Sequence, residues 1–545
     1  MFLKKKVLYN KDGSQRKYLQ VVESRRVNGM PRQIIIATLG RLDTQDGIKN
    51  IEKVTELLVE RSSIFKLLDE DKDLKADWSH EYGMKLICKK LWDELGFDEV
   101  LFKEMESLNT EFDIKEATFN MVLNRLSEPS SKRGLLLWQE EQHEISHFDL
   151  HQYYRALDYM ISHKDSIEQR VFDRMRDLFH VSVDVVLFDT TSLVYYGDAT
   201  KNEELLDYGF SKARRGDLKQ VVVGVLMSKE GIPIGHEVYS GNTNDVRCFK
   251  QMIDQVSNRF KIGKVILVGD RGMISKANIS YLESKGYSYI LGYRMRTIPK
   301  EERKRIFSKV NLKQMRKANV QYKDMTYEGK RLLVCYNADR AKLDAQKREE
   351  ILERIQKKIT DKSTIMSVVE NPHYKRFLKI IGQNPKIDPE KVKKDALYDG
   401  VYVLTSNTNL PPNQIIGSYK GLWQVEMAFR QLKSELEMGP IYHWKDRRIR
   451  AHIMICFLAL ILRVAFYKKL RHKNPTVSYT DVLHDVKALK AIGITIKNKP
   501  VILRTELKPF ATLAFQALKT QPPHRILSSA NLQNVVARVS LFPKS

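Results

Sequence analysis

The sequence predicts a multidomain α/β protein in which a mixed sheet is flanked by helices. The chain has 545 residues, several times the length of an ordinary domain, which predicts roughly three or four structural units. The spacing of its apolar residues changes twice, from strand-like alternation to helical spacing and then to short, continuously apolar runs. Two of those short runs lead directly into an aspartate. A central sheet with a site at its edge is therefore expected.

Residues 1–46 are predicted to form a small N-terminal β unit. Strand-like runs cover residues 17–23 and 32–39, and Asp-Gly and Asn-Gly pairs supply the turns. From residue 47 to 180 the apolar residues recur at helical spacings. This helical region is compatible with a DNA-binding module and equally with ordinary helix packing.

Residues 181–295 have the element order of the first part of a ribonuclease H-like core. A buried strand at 183–188 precedes a hairpin at 218–239 and an amphipathic helix at 246–260. A second buried strand, a helix capped by Ser275 and a fifth strand follow. Other mixed α/β folds share this order, so the topology alone leaves the fold open.

The remaining segments are arranged around one strong helix. The basic stretch 296–411 after the fifth strand looks like an insertion. The helix is predicted to begin after Pro411 and Pro412, and the core would continue through residues 412–470. Residues 471–545 are predicted to be a C-terminal helical region.

The charge balance favours a polyanionic partner. Lys and Arg total 93 against 67 for Asp and Glu, a net charge of +26 with a pI near 9.6. Basic residues that neutralise phosphates release counterions and so strengthen binding, although some basic proteins bind no nucleic acid. The dispersed cysteines (Cys88, Cys248, Cys335, Cys456) predict neither a zinc ribbon nor a disulfide framework and fit a reduced, cytoplasmic compartment.

The most apolar segment predicts a buried helix. Residues 453–466 include Arg463 and are fewer than the ~20 that a membrane span needs, so no membrane partner is expected. The sequence also lacks a GxxxxGK[ST] phosphate loop, so no nucleotide cofactor is expected.

Two aspartates follow buried strands of the predicted core. Asp189 comes after the first of these strands and Asp270 after the fourth. Carboxylates at strand ends lie outside the sheet edge, where a ligand can approach. One such residue usually begins a turn or caps a helix. Two of them on these strands favour a Mg²⁺ site, because this hard ion takes one or two carboxylates together with phosphate oxygens.

A third carboxylate is expected on the helix after the insertion. Steps of four and seven residues place Glu426, Arg430 and Lys433 on one helix face. Such a face could hold a metal while its cations steer a scissile phosphate. A solvated face with ordinary helix ion pairs explains the same pattern equally well.

This helix resembles the YREK signature of insertion-sequence DDE transposases: Tyr, two residues, Arg, three residues, Glu, six residues, Lys. Tyr419, Glu426 and Lys433 match in type and spacing, whereas Leu422 stands at the Arg position and Arg430 is a conceivable substitute. Motifs of one sub-branch of that family are matched by Gly209-Phe-Ser-Lys212, Leu218-Lys-Gln220, Gly231-Ile-Pro233, Gly241-Asn-Thr-Asn-Asp245, and His443 with Arg448-Ile-Arg-Ala-His452. The matches run from about residue 120 to residue 470.

The resemblance implies a ribonuclease H-like core, an insertion between strand five and the catalytic helix, and a DDE site. Asp189, Asp270 and Glu426 would hold two Mg²⁺ ions, for which Mn²⁺ substitutes. Asp245 is expected to orient the site without being a primary ligand. Asp184, Asp198 and Asp207 are likewise not expected to be primary ligands. The predicted DNA contacts are Tyr419, Arg430, Lys433, Lys212, Arg271 and His452.

The predicted activity is cleavage at transposon ends followed by strand transfer into target DNA. The partners would be double-stranded DNA with terminal inverted repeats and a second copy of the chain on that DNA, at the nucleoid of the bacterial cytoplasm. The alternatives are a metal-dependent nuclease that joins no ends and an inactive or domesticated transposase that only binds DNA. An RNA-binding protein is disfavoured because no RRM, KH or zinc-knuckle signature is present. Lys433→Ala is expected to weaken binding to specific and random duplexes alike and to reduce the salt slope by about one.

Overall fold

The computed structural model describes most of the chain. The described residues are 1–10, 12, 14–27, 30–70, 75–103, 110–179, 184–198, 204–210, 215–260, 266–273, 275–295, 298–306, 312–315, 320–360, 369, 371–381, 384–496 and 499–529. Lys212 and part of the predicted N-terminal turns lie outside them.

These residues form both strands and helices. The strands are β1 (Phe2–Tyr9), β2 (Gln15–Val27), β3 (Met30–Arg41), β4 (Lys75–Glu81), β5 (Val185–Val194), β6 (Gln220–Ser228), β7 (Pro233–Ser240), β8 (Ile266–Gly269), β9 (Ser288–Gly292), β10 (Lys313–Gln314), β11 (Val320–Tyr327), β12 (Lys330–Asn337), β13 (Leu378–Ile381), β14 (Asn384–Ile387), β15 (Val401–Ser406), β16 (Lys490–Ile496), β17 (Lys499–Arg504) and β18 (Ile526–Ser529). The α-helices are Gln45–Glu70, Gly83–Glu94, Phe97–Lys103, Ile114–Ser127, Gly134–Glu140, Leu150–Ser162, Lys164–Phe179, Asp245–Phe260, Lys276–Ser284, Lys300–Ile306, Ala338–Thr360, Pro372–Lys375, Pro389–Ala396, Pro412–Lys420, Trp423–Ser434, Asp446–Lys473, Tyr479–Lys487 and Pro509–Ala517, and Arg271–Met273 is a 3₁₀ helix.

A mixed sheet forms the centre of the molecule. Its strand order across the described residues is β10-β11-β12-β15-β9-β8-β5-β6-β7. The strand β5 pairs antiparallel with β6 and parallel with β8, and β8 pairs parallel with β9. The five strands from β5 to β9 therefore have the arrangement of a ribonuclease H-like core, and this prediction is confirmed.

The insertion extends the core sheet. The strand β15 pairs antiparallel with β9, and β12 and β11 continue the sheet beyond β15. The described part of the insertion has two hydrophobic clusters of its own: Ile355 packs with Phe377 and Leu378, and Leu332 of β12 packs with Val403 of β15. The insertion is thus not separate from the core, because its strand β15 pairs with the core strand β9.

The long helix Asp446–Lys473 lies in the core of the protein. It is long and apolar enough to cross a membrane by composition, but 89% of its most apolar 18-residue window is buried. It shares one hydrophobic cluster with Leu123, Leu157 and Val171 of the helical region. The predicted buried helix is confirmed, and the helices of this region pack against the core.

The two ends of the described chain form separate sheets. The strands β1, β2 and β3 make an antiparallel sheet, which confirms the small N-terminal β unit. At the other end, β16 pairs with β4 from the helical region and with β17, and β18 completes this sheet. The prediction of a C-terminal helical region therefore covers only part of that segment, because β16 finds its partner β4 far away in sequence.

Candidate active site

Register brings the two predicted aspartates to the same level of the sheet. In the parallel pair β5 and β8, Phe188 lies opposite Gly269, so Asp189 and Asp270 each follow a paired position on adjacent strands. Asp189 lies in the middle of β5, which continues to Val194, and not at the strand end that the sequence suggested. The neighbouring strand β8 nevertheless ends at Gly269, which leaves space beside Asp189.

Successive side chains of β5 point to opposite faces of the sheet, and this places Asp189 and Asp245 on opposite faces. Leu187 and Leu193 face the hydrophobic cluster that contains the helix Trp423–Ser434, and Asp189 shares their face. The next residue, Thr190, points to the opposite face, where its hydroxyl donates to Asp245 Oδ1 over 2.5 Å. The backbone N–H of Thr190 donates to Asp189 Oδ1 over 2.7 Å. Asp245 is therefore placed to act on Asp189 through Thr190.

All three predicted carboxylates line one cavity of about 560 Å³. Asp189, Asp270 and Glu426 share it with Asp339, and the basic residues Arg271, Arg340 and Lys420 also line it. We call it the carboxylate cavity. Asp184, Asp198, Asp207 and Asp245 do not line it. The cavity thus combines oxygen ligands for a cation with positive charges for an anion.

Tyr419 orients one of these carboxylates. Its hydroxyl donates to Asp270 Oδ1 over 3.1 Å. Burial, followed by the nearby charge of Asp270, raises the pKa of Tyr419, so its hydroxyl stays protonated and remains a donor. Tyr419 thus makes a hydrogen bond inside the site, and its predicted contact with DNA stays a prediction.

Gly292 makes room for this hydrogen bond. A Cβ at Gly292 would lie 2.6 Å from the hydroxyl oxygen of Tyr419 and 2.9 Å from the backbone nitrogen of Arg271. Such distances require the neighbours to move. The end of β9 therefore tolerates only glycine without disturbing Tyr419.

Two helices replace the single helix that the sequence predicted. One is Pro412–Lys420, and the catalytic helix is Trp423–Ser434, so Tyr419 and Glu426 belong to different helices. Leu422, at the family's Arg position, is buried between them. On the catalytic helix Glu426 and Arg430 are both exposed, so they share an accessible face as predicted.

Polar contacts fasten the catalytic helix and the segment after it. The ammonium of Lys433 donates to the Ser192 carbonyl of β5 over 3.0 Å. Arg463 in the long core helix donates through Nε to Glu435 Oε2 over 3.0 Å. Arg125 of the helical region donates to the Glu437 carbonyl over 3.2 Å. The helical region therefore helps to position the catalytic helix.

The predicted DNA contact at His452 is contradicted by burial. His452 is only 6% exposed, and its Nε2 donates to the Met438 carbonyl over 3.1 Å. Burial, followed by the charges of Arg125 and Lys132, lowers the pKa of His452 well below its ordinary value. A neutral histidine inside the core does not reach DNA. Arg271, by contrast, is exposed beside Asp270, and Lys212 lies outside the described residues.

Several residues of the carboxylate cavity were not predicted from the sequence. Three of them lie where β12 ends and the helix Ala338–Thr360 begins: Asn337, Asp339 and Arg340. Lys420 reaches the cavity from the helix Pro412–Lys420. An acid directly after a strand of the insertion was a visible signal. That β12 lies beside the core was not visible, because this depends on its pairing with β15.

The residues of the carboxylate cavity fit a hard divalent cation by their chemistry. Asp189, Asp270 and Glu426 offer only carboxylate oxygens, which Mg²⁺ and Mn²⁺ prefer. Across the described ranges, no three His, Cys, Asp or Glu side chains already form a cluster that could hold an ion. Asp189 and Asp270 accept hydrogen bonds inside the site, whereas Glu426 is exposed on its helix, so its longer side chain has freedom to close around an ion.

Comparisons with known proteins identify two families along the chain. Residues 183–462, about half of the chain, match the transposase DDE domain, and residues 3–65 match the N-terminal domain of IS1634 family transposases. Neither match carries the YREK label, which stays a prediction. No curated protein matches the sequence.

Similar solved structures include two transposase complexes. A cryo-EM structure of the piggyBac transposase synaptic complex with hairpin DNA has a TM-score of 0.36 and 9% identity, over 84% of this chain and 85% of that one. The Mos1 transposase paired-end complex with the left transposon end has a TM-score of 0.15 and 14% identity, over 34% and 60%. The two sequence-family matches decide the assignment: this chain belongs to the DDE transposases, with an N-terminal domain of the IS1634 type.

Proposed function

We propose that this DNA transposase cleaves the ends of its insertion sequence and joins them to target DNA in a Mg²⁺-dependent DDE reaction. The observation that carries the proposal is the shared cavity of Asp189, Asp270 and Glu426, which come from two strands and a distant helix. Water would attack the phosphodiester at the transposon end, and the 3′ oxygen would leave. The freed 3′-hydroxyl would then attack a phosphodiester of the target, whose own 3′ oxygen would leave.

Asp189, Asp270 and Glu426 would hold the metal ions. When bound, two Mg²⁺ ions, or Mn²⁺ in their place, supply Lewis-acid stabilisation of the attacking and leaving oxygens. Tyr419 fixes Asp270, and the Thr190 backbone fixes Asp189. These hydrogen bonds set the directions of the two carboxylates before DNA arrives.

Arg271 and Arg430 are the proposed phosphate contacts of this site. Both are exposed, one beside Asp270 and the other one turn after Glu426. Phosphate contacts position DNA without reading its sequence. We also propose that two copies of the chain assemble on paired DNA ends, at the nucleoid of the bacterial cytoplasm.

The proposal is tested with DNA that carries the inverted repeats flanking the gene. With Mg²⁺ and a target plasmid, we expect cleavage at the repeat ends and covalent joining of the freed 3′ ends to the plasmid. Cleavage without joining would favour the metal-dependent nuclease. Binding without cleavage would favour a transposase-derived DNA-binding protein.

Gly292→Ala is expected to slow cleavage by about 10-fold or more, because the new Cβ displaces the Tyr419 hydroxyl from Asp270. Tyr419→Phe should slow it in the same way. The measurement is the single-turnover cleavage rate at saturating DNA and Mg²⁺.

The matched control is Gly417→Ala, because a Cβ at this helical glycine meets nothing within 4 Å. It should leave the rate unchanged. A Gly292→Ala protein that cleaves at the wild-type rate would disprove the role given to Tyr419.

Lys433→Ala is expected to lower the cleavage rate at saturating DNA by on the order of 10²-fold, because Lys433 fastens the catalytic helix to β5. Its salt slope of DNA binding should stay as in the wild type. This outcome revises the expectation drawn from the sequence. Rates and salt-dependent binding constants are measured on the same DNA.

Arg430→Ala is the matched comparison on the same helix. Because Arg430 is exposed, its loss should reduce the salt slope by about one and weaken binding to random and specific duplexes alike. If Lys433→Ala reduces the slope and Arg430→Ala does not, the two roles are exchanged.

A further inference from the structure

A second and larger cavity lies beside the carboxylate cavity. It has a volume of about 1010 Å³, and its walls come from the end of β8, the segment after β9 and the insertion. Six cations line it: Arg271, Arg294, Arg303, Arg376, Lys391 and Lys394. Asp395 is the one acid among its described lining residues. We call this cavity the basic cleft.

The cations of the basic cleft differ in the hydrogen bonds and ion pairs that they already make. Arg294 donates to the carbonyls of Arg271 and Gly272 over 3.0 and 3.1 Å, which braces the turn after Asp270. Arg376 lies 3.6 Å from Asp395, so that acid is already neutralised. The Nε of Arg303 is buried without a hydrogen-bond partner among the described residues.

Lys394 adds an exposed charge to the lining of the cleft. It lies in the last turn of the helix Pro389–Ala396, and its side chain is open to solvent. Together with Arg303 it leaves the cleft with positive charge that the neighbouring side chains do not balance. An anion that enters the cleft meets these charges of the insertion together with Arg271 and Arg294 of the core.

The basic cleft is continuous with the carboxylate cavity. Arg271, Tyr293 and Met295 line both of them. A polyanion whose phosphate lies among the carboxylates can therefore extend into the cleft without leaving the protein surface. Tyr293 and Tyr398 add aromatic surface, which favours nucleotides over a compact anion.

We propose that the basic cleft binds the sugar-phosphate backbone of the DNA strand that continues from the scissile phosphate. Arg303 and Lys394, which both belong to the insertion, contact that backbone, and Arg271 and Arg294 line the core side of the cleft. This inference rests on the proposed function. The insertion then does more than extend the sheet: it forms part of a DNA-binding cleft that opens onto the site of cleavage.

The test compares two double variants with equal loss of charge. Arg303→Ala with Lys394→Ala removes two cations that line the cleft. The control, Lys379→Ala with Lys386→Ala, removes a pair of exposed lysines that face each other across β13 and β14 in the same insertion but do not line the cleft. Binding to a fluorescent random-sequence duplex is measured by anisotropy in EDTA over a series of salt concentrations.

The cleft variant should reduce the slope of log K against log salt by about two, since each lost phosphate contact reduces it by about one. The control should keep the wild-type slope. Equal slopes for the two double variants overturn the cleft while leaving the proposed transposase function intact. A wild-type protein that does not bind the duplex overturns both.

A single charge reversal guards against a folding defect at Arg303. Lys394→Glu changes an exposed residue and should weaken duplex binding more than Lys379→Glu does. If the two reversals weaken binding equally, the cleft is no preferred path for DNA, and the inference fails.

Discussion

Asp189→Asn should lower DNA cleavage by at least about 10³-fold, because a neutral amide removes one charge from the oxygen ligands of the site. Asp189 lies on β5, the middle strand of the five-stranded core, level with Asp270 on the neighbouring strand. The rate is measured in single turnover at saturating Mg²⁺. DNA binding in EDTA should persist, because the basic residues remain.

Asp245→Asn is the matched control for this substitution. Asp245 also accepts a hydrogen bond at the site, but it does so from Thr190 on the opposite face of the sheet. Its loss should slow cleavage by only about 10- to 100-fold. If Asp245→Asn proves the more damaging change, Asp245 and not Asp189 is the metal ligand.

Glu168→Ala should destabilise the protein by about 3–5 kcal/mol, because it breaks a buried network of charges. Glu168 is 1% exposed and accepts from Lys164 over 3.2 Å, and His236 Nδ1 lies 2.5 Å from its Oε1. Lys164 also donates to Glu237 over 2.7 Å. These contacts join the helix Lys164–Phe179 to β7, so their loss loosens the helical region from the core sheet.

The measurement is the midpoint of urea unfolding at neutral pH, compared with Glu99→Ala. Glu99 pairs with Arg174 at the surface, with both side chains at least half exposed. An exposed pair of this kind contributes at most about 1 kcal/mol, so the control should barely shift the midpoint. Equal shifts for the two variants would show that the buried network adds no stability.

The central fold could be predicted because its signals are local. The buried run before Asp189, the hairpin, the helix capped by Ser275 and the strand at 288–292 all appear close to where the sequence indicates them. Each depends on residues near in sequence: continuous apolar runs for buried strands, a period of 3.6 for helices, a capping side chain. The candidate carboxylates followed from the same local patterns together with the family motif.

The roles of the residues around those carboxylates could not be predicted in the same way. Tyr419 and His452 match family motifs, yet one bonds to Asp270 and the other is buried against the Met438 carbonyl. A motif gives the type and spacing of a side chain. Whether that side chain faces DNA, another side chain or the core depends on which segments pack beside it.

The amino-acid sequence by itself thus determined the ribonuclease H-like order of elements and the three acids Asp189, Asp270 and Glu426. Only the tertiary structure decided that the insertion joins the core sheet through β15, that Asp339 reaches the carboxylate cavity, and that Arg303 and Lys394 face one cleft. The physical reason is the range of the interactions. Periodicity and capping act over a few neighbouring residues, whereas strand pairing and burial select partners from anywhere along the chain.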